Sequence, residues 1–192
     1  MSRHVGLLGG TFDPVHLGHL VVADVVADRL GLDELRLLVA GDPWMKDSES
    51  AAHHRVAMAR AAVADDPCLS VDDRETHRDG PTYTADTLEM LHEEEPGTRF
   101  VFLLGADAAA HLPAWRRITD ALELATFVVV GRPGSQRPIH ELMDRVTWVD
   151  APLVDISSTG LRADVASGRS VRYRVPDPVR DYVAEHGLYL PG

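Results

Sequence analysis

Cysteine is almost missing from this chain: Cys68 is the only one in 192 residues, which excludes an intramolecular disulfide and a cysteine zinc cluster. Long apolar runs are missing too. No stretch approaches the roughly 18 uninterrupted apolar residues of a membrane span, and Met1 is followed by Ser2-Arg3-His4 rather than by an apolar leader. These absences lead us to expect a reducing cytoplasm and no membrane partner. Basic residues are in deficit: 19 Lys and Arg against 30 Asp and Glu leave a formal charge of −11. A broad nucleic-acid or anionic-membrane surface needs many outward cations to displace counterions, so the balance argues against both. A small anion is a different matter, because it responds to local charge and to a metal ion brought with it. Candidate positive groups recur near the expected strand ends at His16, His19, Lys46, Arg132 and Arg162. The surplus acid, such as Glu93-Glu94-Glu95, reads as a solvated helix end rather than a metal site.

With 45% of its residues hydrophobic, a chain of this length buries about 70% of its unfolded surface, so one compact domain over residues 1–192 is expected. Strand-like apolar runs recur at Val5–Leu8, Leu35–Ala40, Leu69–Val71, Phe100–Leu104, Phe127–Val130 and Val146–Val149. Helix-like segments lie among them at Leu20–Leu30, Ala51–Ala64, Thr84–Glu94, Ile118–Ala125 and Ile139–Arg145. This alternation predicts an α/β fold, a Rossmann-like, doubly wound and mainly parallel sheet. Two C-terminal helices, Ser157–Ser167 and Pro178–His186, pack back on it. Ligands of such sheets gather at the carboxyl ends of the strands. There is no internal repeat, and Gly131–Pro138 is too short for an interdomain linker.

The first strand runs into Gly9-Gly10-Thr11-Phe12-Asp13-Pro14-Val15-His16-Leu17-Gly18-His19. Neither a phosphate loop ending in Lys-Ser or Lys-Thr nor a three-glycine dinucleotide fingerprint is present at this turn. Gly9 and Gly10 can take backbone angles closed to other residues and have no side chain to hold a ligand off, while Pro14 fixes one dihedral. If a helix begins near Leu17, His16 and His19 both lie over its first turn, where unpaired N–H groups and the positive dipole end favour an anion. Two ring N–H donors add to that field.

A second signal is Ile156-Ser157-Ser158-Thr159-Gly160-Leu161-Arg162, with hydroxyls at a helix start and a guanidinium one turn on. Such groups can converge on phosphate oxygens, and the same run also serves as an ordinary N-cap with an outward arginine. Gly105-Ala106-Asp107 and Arg132-Pro133-Gly134 follow two further strands. Asp107 suits ribose hydroxyls or helix capping; Arg132 suits the base, the phosphates or solvent. His53 and His54 read as capping or surface residues.

The first motif reproduces the HxGH signature of the nucleotidylyltransferase superfamily, and the second resembles that superfamily's ISSTxxR run. The resemblance narrows through Arg78-Asp79-Gly80-Pro81-Thr82-Tyr83-Thr84, the Trp115 loop and the tail Tyr173-Arg174-Val175-Pro176-Asp177 to His186-Gly187-Leu188-Tyr189. Over nearly its whole length the chain resembles bacterial nicotinate mononucleotide adenylyltransferases. That resemblance implies transfer of AMP from ATP to nicotinate mononucleotide, giving nicotinate adenine dinucleotide and pyrophosphate in NAD biosynthesis. His16, His19, Ser158 and Arg162 would be the catalytic set. ATP would lie on Gly9, Gly10, Thr11, Phe12, Gly105, Asp107, Arg132, Ser157 and Thr159 as well. It implies a nicotinate mononucleotide site with Trp115 stacked on the pyridine ring, Thr84 at its carboxylate and Lys46 at its phosphate, and Mg²⁺ bound mainly through substrate phosphates and water. From the residues alone, Trp115 has a second reading as a core or rim anchor, and Thr84 is equally a helix cap.

The chain departs from the common pattern where Asp42-Pro43-Trp44-Met45-Lys46 replaces Pro-Pro-His-Lys and where Arg116 follows Trp115. Pantetheine-phosphate adenylyltransferases differ by a threonine at the place of His16, and glycerol-type cytidylyltransferases by an RTxGIST run absent here. A nucleotide-binding regulator that kept the pocket and lost transfer is the reading from another class. The sequence leaves a homo-oligomer open. The adenylyl-transfer reading requires the two motifs to share one cavity.

Overall fold

A computed structural model describes residues 2–41, 49–131, 137–152 and 154–191. The sheet has six strands: β1 (His4–Gly10), β2 (Glu34–Val39), β3 (Leu69–Asp72), β4 (Arg99–Gly105), β5 (Thr126–Gly131) and β6 (Thr147–Asp150). All neighbours run parallel in the order β3-β2-β1-β4-β5-β6. The order reverses between β1 and β4, which opens a crevice beyond their carboxyl ends.

Alternation along the strands explains why both faces are covered. Leu8, Leu37, Leu103 and Val128 point to one side, where they pack with α1 (Leu17–Leu30), α2 (Ala52–Val63), α6 (Ser158–Ala166) and α7 (Asp177–Glu185). Leu7, Leu38, Phe102 and Val129 point to the other, against α3 (Thr84–Glu94), α4 (Ala106–Ala109) and α5 (Ile118–Leu124). Helix α1 stops at Gly31, whose φ of 59° is left-handed and whose N–H bonds back to Ala27 and Asp28.

The predicted strands and most helices fall within a few residues of these bounds. Helix α1 begins three residues earlier than the apolar periodicity suggests, because His16 supplies an extended N-cap ahead of Leu17. The predicted helix Ile139–Arg145 is instead a 3₁₀ segment, Glu141–Arg145. None of its residues is buried, so no apolar stripe drives a longer α-helix there. Short 3₁₀ turns at Arg74–His77 and Leu112–Ala114, and α4 itself, carry too little periodicity to be read from sequence.

Candidate active site

The turn after β1 sits at the switch point, and its backbone differs from expectation in one respect. Neither Gly9 nor Gly10 takes a positive φ; Phe12 does, at 53°. The glycines are strand residues whose missing side chains are what matters. A Cβ on Gly10 would stand 2.8 Å from the Phe12 ring, and one on Gly9 would stand 3.2 Å from Phe102. Phe12 is thereby folded under the turn, buried and edge-on to His19 at 5.0 Å between ring centres. The Asp13–Pro14 peptide is cis.

Asp13 is the buried anchor of this turn. One carboxylate oxygen accepts from the N–H groups of Glu49 (2.7 Å) and Ser50 (3.1 Å), and the other from the Tyr189 hydroxyl (2.6 Å). Burial alone would raise this carboxyl, but the donors from Tyr189, Ser50 and Glu49 together outweigh it and hold it below the usual carboxylate range. The same burial and the Asp13 carboxylate hold the Tyr189 phenol well above its usual value.

His16 and His19 stack with ring centres 3.7 Å apart and planes 25° from parallel. Gly18 permits this packing, since a Cβ there would meet the His16 ring at 3.0 Å. The backbone N–H of His16 donates to His19 Nδ1 at 3.2 Å, which places the proton of a neutral His19 ring on Nε2. Burial pushes His16 down to about 4. His16 is therefore a neutral N–H donor near pH 7, not the positive group the charge pattern suggested; its Nδ1 is buried without a partner.

Helix α6 starts beside this turn. Ser157 caps it by accepting the Gly160 N–H at 3.1 Å. Ser158 Oγ donates to Pro14 O at 2.9 Å, and Arg162 Nη1 donates to Asp13 O at 2.9 Å. Arg162 Nε also pairs with Glu49 at 2.7 Å, and Thr159 Oγ1 lies 3.5 Å from Arg162 Nη2. The two motifs, 144 residues apart at Pro14 and Ser158, thus form one cradle with two helix N-termini aimed into it.

At the end of β4, Gly105 is the N-cap of α4 and Asp107 is an exposed residue of its first turn, so Asp107 is not the cap. Trp115 is half-buried, edge-on to Phe102 at 6.1 Å and to Phe127 at 6.5 Å, with its Nε1 buried and unpartnered. Phe102 in turn lies against Gly9, which puts Trp115 one ring away from the turn. Thr84 is the first residue of α3, with Tyr83 at the cap position. The Trp115 loop and the Thr82–Thr84 run meet where the Arg116 guanidinium lies over Tyr83 at 4.7 Å and Arg117 pairs with Asp86 at 2.8 Å. Arg116 thus packs on the run itself. Lys46, Trp44 and Arg132 lie outside the described residues. His53 and His54 do not cap α2, whose N-cap is Ala51; His54 Nδ1 instead meets Tyr182 OH of α7 at 2.9 Å.

Sequence reasoning missed two buried charges. Arg55 is 1% exposed, with its guanidinium on the carbonyls of Thr11, Ala40 and Gly41. Burial pushes Arg55 down, against the opposing pull of Asp13 and Tyr189. Glu75 accepts the Thr87 hydroxyl at 2.7 Å, and burial raises its carboxyl despite that bond, one from Thr82 and the nearby Arg78. Nothing in local periodicity marks either residue as interior.

The donor set of the cradle suits phosphate oxygens. Asp13, its buried carboxylate, has both oxygens committed, and among the described residues no three His, Cys, Asp or Glu side chains are placed to hold a metal ion. The donors present fit a divalent ion that arrives already bound to phosphates. Among the described residues no helix is long and apolar enough to cross a membrane.

Residues 7–164 match the cytidylyltransferase-like family. A protein of Corynebacterium kroppenstedtii named probable nicotinate-nucleotide adenylyltransferase is 44% identical over 97% of this chain and 91% of its own length. One of the same name from Enterococcus faecalis is 44% identical over 97% and 85%. The fold also matches the Plasmodium falciparum nicotinic acid mononucleotide adenylyltransferase solved with NaAD, at a TM-score of 0.80, 21% identity and 97% coverage of both chains. The strand order, the paired helix starts and this full-length similarity place the chain in the cytidylyltransferase-like family, among the nicotinate-nucleotide adenylyltransferases.

Proposed function

We propose that this enzyme transfers AMP from ATP to nicotinate mononucleotide, releasing pyrophosphate and forming nicotinate adenine dinucleotide for NAD biosynthesis. The observation that carries this reading is the closure of the cradle by Ser158 on Pro14 O and Arg162 on Asp13 O, which brings the His16–His19 pair and the α6 start to one place. An oxygen of the acceptor phosphate attacks the α-phosphorus of ATP, a new P–O bond forms, and the bond to the bridging oxygen breaks with its electrons leaving on pyrophosphate. The acceptor phosphate is already ionised, so neither a protein base nor a covalent intermediate is required. What the protein must supply is alignment and stabilisation of charge on the leaving group.

In this scheme His16 and His19 donate ring N–H groups to the phosphates, while Ser158, Arg162 and the N–H groups at the α6 start hold the β,γ portion. Gly9, Gly10, Thr11 and Phe12 give the nucleotide close access to backbone, Gly105 and Asp107 serve the ribose, and Arg132 the base or phosphates. Mg²⁺ would be held mainly by the substrate phosphates and water beside these donors, and would supply neutralisation of phosphate charge. Trp115 and Thr84 take the nicotinate ring and its carboxylate, and Lys46 the acceptor phosphate. The chain works as a single domain in the cytoplasm.

Pyrophosphate release with ATP and Mg²⁺, compared across nicotinate mononucleotide, nicotinamide mononucleotide and pantetheine phosphate, tests the reading. The expected result is fastest release with nicotinate mononucleotide. Release with pantetheine phosphate alone, or with no acceptor, overturns it.

A further inference from the structure

Arg55 comes from α2, outside both nucleotide motifs, yet its side chain ends between the first of them and the exit of β2. Nη1 donates to Thr11 O at 3.1 Å and Ala40 O at 2.6 Å, and Nη2 donates to Gly41 O at 2.9 Å. One fork therefore ties the turn after β1 to the exit of β2. Gly41 is wedged in place from its other side: a Cβ there would overlap Glu75 O and stand 3.2 Å from Thr82 Cγ2. Thr82 belongs to the run that reaches Thr84. The far end of the same loop returns to the same turn through Glu49 and Ser50 on Asp13. A buried cation and a buried anion, Arg55 holding Thr11 O and Asp13 standing two residues further along the turn, fasten Gly41 on one side and Glu49 and Ser50 on the other to the nucleotide turn.

We infer that Arg55 is a positioning residue that sets the spacing between the ATP cradle at Thr11 and the acceptor side of the site at Gly41 and Thr82. The inference rests on the two-substrate reading above. The Arg55 guanidinium is buried with its donors on main-chain carbonyls, so its effect is on alignment. In-line transfer is sensitive to that spacing, and a displacement of about 1 Å between reacting groups lowers a rate by about 10²-fold. A lysine keeps the charge but cannot span three carbonyls with a planar fork.

The test is Arg55→Lys, with ATP binding measured alone by calorimetry, KM for each substrate, kcat per folded molecule, and the melting temperature. The expected outcome is a folded protein whose ATP affinity and KM values stay within about 3-fold of wild type while kcat falls roughly 10- to 100-fold. Wild-type kcat per folded molecule, or a loss that merely follows the folded fraction, overturns the inference. Gly41→Ala is the second variant. It displaces the half-buried strand exit from Glu75 while leaving Arg55 in place, and it should show the same kcat-selective loss. An unaffected Gly41→Ala enzyme refutes the spacing argument even where Arg55→Lys does not fold. A wild-type protein that releases no pyrophosphate from ATP and nicotinate mononucleotide refutes the functional reading instead, and the alignment role with it.

Discussion

Replacing His19 by alanine separates the catalytic reading of the cradle from a structural one. His19 sits at the third position of α1, stacked on His16, and its Nδ1 accepts the His16 backbone N–H at 3.2 Å. Two effects follow from truncation, and they differ in size and in readout. The helix start loses the acceptor for one N–H. The group is part-buried and water can replace the acceptor, so the expected destabilisation is about 0.5–1.5 kcal/mol, or a fall in melting temperature of about 2–4 °C per kcal/mol for a chain of this size. The cradle also loses a donor whose tautomer the His16 N–H had set. If that donor stabilises charge on the leaving pyrophosphate, the loss is about 2.7–4 kcal/mol of transition-state energy, or 10²- to 10³-fold in kcat. Continuous pyrophosphate release at saturating ATP and nicotinate mononucleotide, at a temperature well below the melting point of the variant, reads the second effect without the first. A folded His19→Ala enzyme with kcat within a few-fold of wild type refutes the assigned role and leaves His19 as a helix-start residue only.

Trp115→Ala should weaken acceptor binding by about 1–3 kcal/mol if the ring stacks on the pyridine, with the ATP affinity unchanged; unaltered KM for nicotinate mononucleotide returns Trp115 to its packing role against Phe102 and Phe127. His16 has a folded value of about 4 against an ordinary 6.5, so the unfolded chain takes up the proton first. Stability from this group is complete above pH 6.5 and is lost as the pH falls through 4, by about 3 kcal/mol in total. Urea unfolding of His16→Gln should show that much less loss over the same window than wild type, and parallel curves would contradict the burial argument. Tyr189→Phe removes the hydroxyl from Asp13, and the loss of a hydrogen bond to a charged group predicts a fall of about 1.5–3 kcal/mol in unfolding free energy at pH 7. An unchanged urea midpoint would show that the tail does not secure the turn.

Much of this protein was legible in its residues because the signals are local. The six apolar runs became the six strands, since a strand covered on both faces must be apolar nearly throughout. Thr84–Glu94 became α3 with the same bounds. The nucleotide motifs carry their chemistry in short spacings, so His16, His19, Ser158 and Arg162 were visible one by one. The errors were also local in origin. Ile139–Arg145 has apolar residues at helical spacing but lacks a buried face, and the angles open only to glycine are not used at Gly9 and Gly10, because the strand continues through both.

What the linear order of residues determined was the alternation of strands and helices, the sign of the net charge and the donor groups present at two separate helix starts. Tertiary structure decided how those pieces act together: that Ser158 and Arg162 close on Pro14 and Asp13, that His16 is desolvated into a neutral donor, and that Arg55 disappears into the interior to join the ends of two strands. The physical reason is range. Periodicity and helix capping are set by residues three or four apart, whereas the partners of Arg55 lie 14 to 44 residues away and those of Ser158 and Arg162 144 and 149 residues away, and only folding brings those segments together.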